Sequence, residues 1–341
     1  MYQSFQKMFN GNQNKFVDSS ETLNEIKLQQ IELQKERQKF YDERNSYRRL
    51  IRNRSREEEL NNIICEVVKS GSLPSLDYKQ KDYTPNDKDM LISLDDIHYG
   101  ACVHNFWNNY DTNICKEYFS QYIDEIIAYQ DLHNCESAIV WENGDAVNGL
   151  IHQSIRIENK ENVMQQVMDV SELIADFLAE LGKYFKSVMF VSVAGNHSRL
   201  DTKDDSPKDE RVDDLVEWYL KARLQNVENI KIGYQNQLDE TMYLMNVRGL
   251  NYLGVHGDWD SNNGQVLKAV TMLQTPIYAV LTGHKHHNKI DETQGIKVIM
   301  AGSFLGTNDY CIQKRIYGKP EQLLCICDKN GMNDYHEVVF K

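Results

Sequence analysis

Five short fragments between positions 96 and 286 combine the side-chain types that bind metal ions. Together they supply two carboxylates, one amide oxygen and five imidazoles. In chain order they are Asp96-Ile97-His98, Gly144-Asp145, Gly195-Asn196-His197, His256-Gly257 and Gly283-His284-Lys285-His286. This set of donors predicts a cage for two divalent cations, and such a cage mainly serves the hydrolysis of phosphate esters.

The fragments lie at the carboxyl ends of short apolar runs, which are typical of buried strands. Asp96 and His98 follow the run 90–94, and Asn196 follows the run 188–193. Layered α/β proteins place their chemistry at the ends of buried strands. Asp96 and His98 are two positions apart, so on an extended chain both side chains point the same way and one metal can hold both.

The motif series resembles that of the calcineurin-like metallophosphoesterase superfamily: D-x-H, G-D, G-N-H, H and G-H-x-H, over residues 89 to 341. The resemblance implies a set of metal ligands in this sequence. The first metal would be held by Asp96, His98 and His286, and the second by Asn196, His256 and His284, with Asp145 bridging the two.

The same resemblance places His197 near the leaving group, as a general acid or transition-state stabiliser and not as a metal ligand. Ser198 stands where the family often has an acidic residue that orients this histidine, and Asn148 stands where an Asp often follows G-D. A hydroxyl orients an imidazole less strongly than a carboxylate does. Neither departure removes a metal ligand.

The chemistry that the resemblance implies is attack of a metal-bridging hydroxide on phosphorus. Two cations about 3.5–4 Å apart can share a hydroxide and clamp a phosphoryl oxygen. A carboxylate can span two ions, and Asp145 suits this role. Mixed nitrogen and oxygen ligands suit Mn, Fe or Zn better than Ca or Mg. We predict two divalent ions, Mn first, with Fe, Zn or Mg as alternatives.

Arg199 follows the G-N-H triplet closely and has two candidate roles. It could contact a substrate phosphate, or it could form a solvent-exposed ion pair with Asp201 or Asp204.

The segment from Glu21 to Val68 has no Pro or Gly and is predicted to form one long helix or two. Its apolar stripe recurs every seven residues without a complete coiled-coil seam, which favours a face docked on the body of the protein or on a partner. An arginine run over residues 44–56 could track a phosphate backbone, or it could be a solvated face. Composition places a helical arm at 1–70, a linker at 71–88 and the catalytic domain at 89–341.

Charge and composition limit the possible binding partners and the cellular compartment. The net charge is −13, so the catalytic part cannot bind nucleic acid through general basicity. No apolar run approaches the ~18 residues that span a bilayer, which predicts no membrane partner. An odd number of cysteines without paired spacing predicts a reducing cytoplasm, the host cytoplasm if the chain is phage-encoded.

The resemblance implies an α/β fold: a two-layer β-sandwich flanked by helices, with the helical arm added. The superfamily hosts several activities, so the fold cannot choose the substrate. We predict a phosphodiesterase acting on DNA, since arm and core together also resemble enzymes of tailed bacteriophages described as DNA repair exonucleases. The alternatives are a phosphoprotein or small-molecule phosphatase and a non-catalytic assembly protein that retains the cage. The arm could serve a homo-oligomer or a protein partner.

Overall fold

The computed structural model describes residues 29–44, 47–48, 51, 86–151, 159–201, 206–207, 210–260 and 263–341. The chain divides into two units, Met1–Pro74 and Ser75–Lys341. In the first unit, residues 29–44, 47–48 and 51 are helical. The rest of the predicted arm helix, and the arginine run beyond Arg44 and Arg48, lie outside the described residues. The domain boundaries at 70 and 88 stay predictions.

The second unit contains strands that form three sheets. The strands are β1 (Asp89–Ser93), β2 (Val103–His104), β3 (Asn109–Tyr110), β4 (Ser137–Glu142), β5 (Ser187–Ser192), β6 (Ile230–Ile232), β7 (Asn236–Asp239), β8 (Met242–Val247), β9 (Leu250–Val255), β10 (Ala279–Thr282), β11 (Lys289–Thr293), β12 (Ile296–Met300), β13 (Glu321–Asp328) and β14 (Gly331–Val339). The helices are α1 (Thr112–His133), α2 (Val163–Gly182), α3 (Asp213–Arg223), α4 (Asn263–Leu273) and α5 (Asp309–Lys314).

The strand order brings the motifs together. The first large sheet has the order β14-β13-β1-β4-β5-β6, and the second has the order β11-β12-β10-β9-β8-β7. Strands β1, β4 and β5 are parallel neighbours, as are β9 and β10. Carboxyl ends of parallel neighbours meet at one edge of a sheet, so the segments after β1, β4 and β5 are adjacent, and so are those after β9 and β10.

Alternating side chains assign the two faces of each sheet. Leu91 and Trp141 of the first sheet share one buried cluster with Tyr243 and Tyr252 of the second, so the sheets pack face to face. The opposite face of the first sheet packs against α1, α2 and α3. Residues of α4 cover the outer face of the second sheet. These layers confirm the predicted two-layer sandwich flanked by helices.

Local sequence explains where the covering helices begin. Asn162 caps α2 because its side chain accepts the N–H of Gln165 at 3.0 Å, and Asp111 caps α1 in the same way. Helix α2 runs from Val163 to Gly182. The described cysteines are free thiols. Among the described helices, none is long and apolar enough to cross a membrane.

Candidate metal centre

The backbone that carries the predicted ligands is strained. Five of them have a positive φ: 52° at Asp96, 51° at His98, 62° at Asp145, 68° at His284 and 57° at His286. Non-glycine residues rarely adopt this left-handed conformation, and such strain gathers at functional sites. The expectation that Asp96 and His98 reach one site from an extended chain is therefore wrong in its geometry. Left-handed turns bring them there, because β1 has already ended at Ser93.

The first group of ligands consists of Asp96, His98 and His286, whose donor atoms lie within 4.8 Å of one another. Oδ1 of Asp96 is 3.7 Å from Nε2 of His98 and 3.5 Å from Nε2 of His286. The two imidazole Nε2 atoms are 3.1 Å apart. The other carboxylate oxygen of Asp96 accepts the backbone N–H of His284 at 2.6 Å. One oxygen therefore fixes the loop while the other faces the histidines.

The second group surrounds Nε2 of His256. This atom lies 3.0 Å from Oδ1 of Asn196, 3.2 Å from Nδ1 of His284 and 3.3 Å from Oδ2 of Asp145. The other ring nitrogen of His256 lies 2.6 Å from the carbonyl oxygen of Asn143 and donates to it. That hydrogen bond directs Nε2 at the other donors, an arrangement usual for histidine ligands. A metal ion bound there would displace the proton from Nε2.

Asp145 lies between the two groups. Its Oδ2 is 3.3 Å from Nε2 of His256 and 3.9 Å from Nε2 of His98. Its Oδ1 accepts the backbone N–H of His197 at 2.7 Å. The carboxylate therefore faces both candidate sites, as a bridging ligand would. Gly195 packs so closely against it that a Cβ at position 195 would collide with the carboxylate.

His197 also reaches this site. Its ring lies edge-on to that of His98, with centroids 4.5 Å apart. The imidazole is oriented by the carbonyl oxygen of Asn148, which lies 2.8 Å from Nδ1. Ser198 has no part in this orientation, because its hydroxyl donates to the carbonyl of Gly195 at 2.7 Å. His197, His98 and Asp145 form a further group whose donor atoms lie within 4.8 Å.

Burial and mutual charge set the pKa values here. Burial alone would raise the pKa of Asp96, but His286 and His98 outweigh it and hold the pKa below its usual range. Burial likewise opposes ionisation of Asp145, yet His256 and His197 keep its pKa low. Burial also works against protonation of His256, but Asp145 and Asp96 raise its pKa to about 10. Both carboxylates are thus charged at neutral pH.

Burial dominates at two other histidines. It lowers the pKa of His284 to about 4, and the neighbouring His256 adds to the effect. Burial lowers the pKa of His197 to about 4, against the opposing attraction of Asp145. Neutral imidazoles are the form that binds metals.

A divalent cation fits these residues. Oδ1 of Asp96 is buried and has no hydrogen-bond partner, although it faces His98 and His286. A buried, charged oxygen without a partner is costly unless a cation or donor satisfies it. The donor set mixes nitrogen and oxygen, which suits transition metals. The His and Asp groups could therefore hold metal ions.

Sequence reasoning missed two supports. The carbonyl of Asn143 orients His256 from a position directly before the Gly144-Asp145 motif. The buried carboxylate of Asp213 accepts the backbone N–H groups of Asp145 at 3.2 Å and Gly195 at 3.0 Å. Asp213 opens α3, where an acidic residue suggests helix stabilisation and not a link between two motif loops. Adjacency to the motif could have identified Asn143.

Arg199 has a partner that the sequence did not indicate. Its guanidinium pairs with Asp258, two positions after His256. The pair is also buried and not solvent-exposed, since Arg199 is 5% exposed. The sequence offered no guide, because the partner comes from the loop after β9 in the other sheet.

No known family model matches the chain. It is 22% identical over 305 residues to the SPbeta prophage-derived uncharacterized protein YonJ of Bacillus subtilis (strain 168), covering 86% of this chain and 74% of that protein. Among solved structures, it is similar to an archaeal phosphodiesterase, with a TM-score of 0.35 and 13% identity over 73% of this chain and 99% of that chain. It is also similar to Vps29 complexed with zinc from Entamoeba histolytica, with a TM-score of 0.33 and 11% identity over 74% and 99% of the two chains.

These structural likenesses are distant, and the fold assignment rests on the sheets and helices described above. The order of the motifs and their meeting at the strand ends confirm the resemblance to calcineurin-like metallophosphoesterases. The prophage relative agrees with the looser resemblance to phage-encoded proteins.

Proposed function

We propose that this chain is a phosphodiesterase that uses two divalent metal ions and acts on DNA. One observation carries the proposal. Side chains from five fragments spread over residues 96–286 converge into two adjacent groups of metal-binding donors, and Asp145 faces both.

The predicted metal ligands fall into two sets, one for each ion. Asp96, His98 and His286 would hold one ion, and Asn196, His256 and His284 would hold the other, with Asp145 facing both. Two such ions neutralise charge on a phosphoryl oxygen and make water nucleophilic at neutral pH. We propose Mn as the occupant, with Fe, Zn or Mg as alternatives.

His197 serves the leaving group in this proposal. Its Nδ1 is committed to the carbonyl of Asn148, so Nε2 is the atom that handles the proton. Because a neutral imidazole with this tautomer has its lone pair on Nε2, His197 would accept there the proton that the attacking water releases and would pass it to the departing oxygen.

The ion pair between Arg199 and Asp258 favours a diester substrate over a monoester. A phosphomonoester dianion carries more charge than a diester, and a free guanidinium beside the metals would help to bind it. Arg199 is already neutralised by Asp258. This pairing reduces the positive charge that Arg199 offers to a dianion, which suits a singly charged phosphodiester.

The test compares two chromogenic substrates on the full chain loaded with manganese. We expect bis-p-nitrophenyl phosphate to be hydrolysed faster than p-nitrophenyl phosphate. A parallel screen of DNA, RNA and phosphoprotein should show DNA cleavage. The opposite ranking of the two esters would favour a phosphatase. Absence of both activities with two metals bound would support the assembly-protein alternative.

The proposal also covers the cellular location of the enzyme and the partners of its N-terminal arm. We place it in the cytoplasm, since the described cysteines are free thiols. The arm would contact DNA, a second copy or a protein partner. Changing Arg48, Arg49 and Arg52 together to Glu should weaken DNA binding and its salt dependence. Unchanged affinity would assign the arm to protein contacts instead.

A further inference from the structure

The β2–β3 hairpin presents two large aromatic side chains to solvent. Phe106 is 92% exposed and Trp107 is 52% exposed. Their rings contact edge to face, with centroids 5.4 Å apart. The side chain of Asn105 accepts the backbone N–H groups of Trp107 and Asn108, both at 2.9 Å, which fixes the turn. The tip is therefore an ordered aromatic surface.

A second exposed segment combines aromatic and basic residues. Tyr310 and Tyr317 are 61% and 62% exposed. The exposed basic side chains of this segment are Lys314, Arg315 and Lys319. Within residues 309–319 they stand against one acidic residue, Asp309, although the whole chain has a charge of −13.

Thr307 joins these two segments. Its carbonyl oxygen accepts the side-chain amide of Asn105 at 3.3 Å. Its hydroxyl donates to the carbonyl of Gly318 at 2.8 Å and accepts the N–H of Gly318 at 3.0 Å. A second link runs from the side chain of Asn108 to the carbonyl of Leu305 at 2.5 Å. We call Phe106, Trp107, Tyr310 and Tyr317, with Lys314, Arg315 and Lys319, the aromatic rim.

The aromatic rim is continuous with the candidate metal centre. In the segment that carries it, Ser303 donates to the carbonyl of Asp96 at 2.9 Å, and the N–H of Phe304 donates to the same oxygen at 3.2 Å. On the other side, Gly318 packs against His286, since a Cβ at position 318 would lie 2.8 Å from the carbonyl oxygen of His286. The segment that carries the rim is therefore fixed to the backbone of two predicted metal ligands, Asp96 and His286.

We propose that the aromatic rim binds single-stranded DNA, with unpaired bases stacked on its rings and phosphates held by its basic side chains. The inference rests on the proposed function and names its substrate as a single strand. Aromatic rings that alternate with basic residues are the pattern by which proteins grip unpaired strands. Duplex DNA hides its bases within the stack, so it offers these rings little.

The test measures binding of fluorescent oligonucleotides to the full chain in EDTA, so that no strand is cut. The probes are an oligothymidylate, an abasic strand of equal length and a duplex. Trp107→Leu and Tyr317→Ala are the variants, and Trp218→Ala is the matched control, since Trp218 is 53% exposed on α3. Melting temperature verifies folding of each variant.

We expect tight binding of oligothymidylate, weaker binding of the abasic strand and of the duplex, and a loss of about fivefold to a hundredfold per ring removed, on oligothymidylate alone. Lys314→Glu should weaken binding of oligothymidylate and of the abasic strand alike, and it should make the affinity less dependent on salt. Trp218→Ala should bind as the unmodified chain does. If the ring variants lose affinity equally for oligothymidylate and for the abasic strand, or lose no affinity, the inference is overturned.

Hydrolysis of bis-p-nitrophenyl phosphate by the unmodified chain separates the two proposals. If the chain hydrolyses this ester but ring variants bind oligothymidylate normally, the rim inference fails and the phosphodiesterase proposal stands. If the chain hydrolyses neither ester but the ring variants lose affinity for oligothymidylate, the rim inference stands and the catalytic proposal fails.

Discussion

Asp145 and His256 meet at the centre of the site, with Oδ2 of the carboxylate 3.3 Å from Nε2 of the imidazole. The other oxygen of Asp145 accepts the N–H of His197 at 2.7 Å. The carboxylate thus has one oxygen committed to the fold and one directed at the metal-binding donors. Asp145 follows β4 of the first sheet and His256 follows β9 of the second, so this contact also joins the two sheets of the sandwich.

Asp145→Asn should therefore reduce both metal binding and turnover. The amide keeps an oxygen for the N–H of His197 but loses the negative charge that two cations would share. Since removing an outer partner of a ligand costs about 10–100-fold, we expect a loss of at least about 100-fold in hydrolysis of bis-p-nitrophenyl phosphate. Asp124→Asn, on the exposed face of α1, is the control. Unchanged turnover in Asp145→Asn would contradict the bridging role.

His197→Ala tests whether this histidine serves the leaving group or a metal. A general acid contributes about 10²–10⁴ in rate, and an alkoxide needs its proton more than p-nitrophenolate does. We expect a larger loss on oligonucleotides than on bis-p-nitrophenyl phosphate, with manganese content unchanged. The exposed His287 supplies the control variant His287→Ala. Loss of manganese from His197→Ala would instead make His197 a ligand, grouped with His98 and Asp145.

Asp213 should act as a positioning residue for the metal ligands. Asp213→Ala leaves the N–H groups of Asp145 and Gly195 without an acceptor, which costs about 1–3 kcal/mol for each buried group. We expect a lower melting temperature and manganese affinity reduced about 10–100-fold in titration calorimetry. Asp213→Asn keeps an accepting oxygen and should restore most of the affinity. Asp214→Ala is the neighbouring control, and equal manganese affinity in all three variants would rule out positioning.

A partly buried ion pair ties α2 to α3 and makes stability depend on pH. Arg223 donates to Glu172 at 2.9 and 3.1 Å, and Tyr219 donates to it at 2.5 Å. Burial opposes ionisation, but these donors outweigh it and lower the pKa of Glu172 from its ordinary 4.5. Because the folded pKa is depressed, the stabilisation is complete above pH 4.5 and is lost as the pH falls through the folded value.

Glu172→Gln should therefore unfold more easily at neutral pH, by about 1 kcal/mol, since the pair is partly solvated. The difference from the unmodified chain should shrink below pH 4.5. Chemical denaturation at several pH values measures both, with the exposed Glu228→Gln as the control. A difference that grows on acidification would refute this assignment of the pair.

The strands and the convergence of the motifs could be predicted because both depend on local patterns. Apolar runs determine β1, β4, β5, β9 and β10, and parallel neighbours deliver their carboxyl ends to one edge. The structure brings all eight predicted site residues together, from Asp96 to His286. Their individual roles as ligands stay predictions.

The partner of each support could not be predicted, because these contacts join residues far apart in sequence. Asp213 is 68 positions from Asp145, and Asn143 is 113 positions from His256. Which loop faces which depends on the order of strands in two sheets, and no local pattern records that order. The left-handed turns at Asp96 and His98 were missed for another reason: polar residues after a strand are compatible with either an extended or a turned backbone.

The most direct measurement is an anomalous-scattering crystal structure of the full chain after equilibration with manganese. We expect two manganese ions per chain, both in contact with Asp145. One should lie among Asp96, His98 and His286, and the other among Asn196, His256 and His284. Diffraction data that show no manganese at these side chains, or ions bound elsewhere, would contradict the central claim.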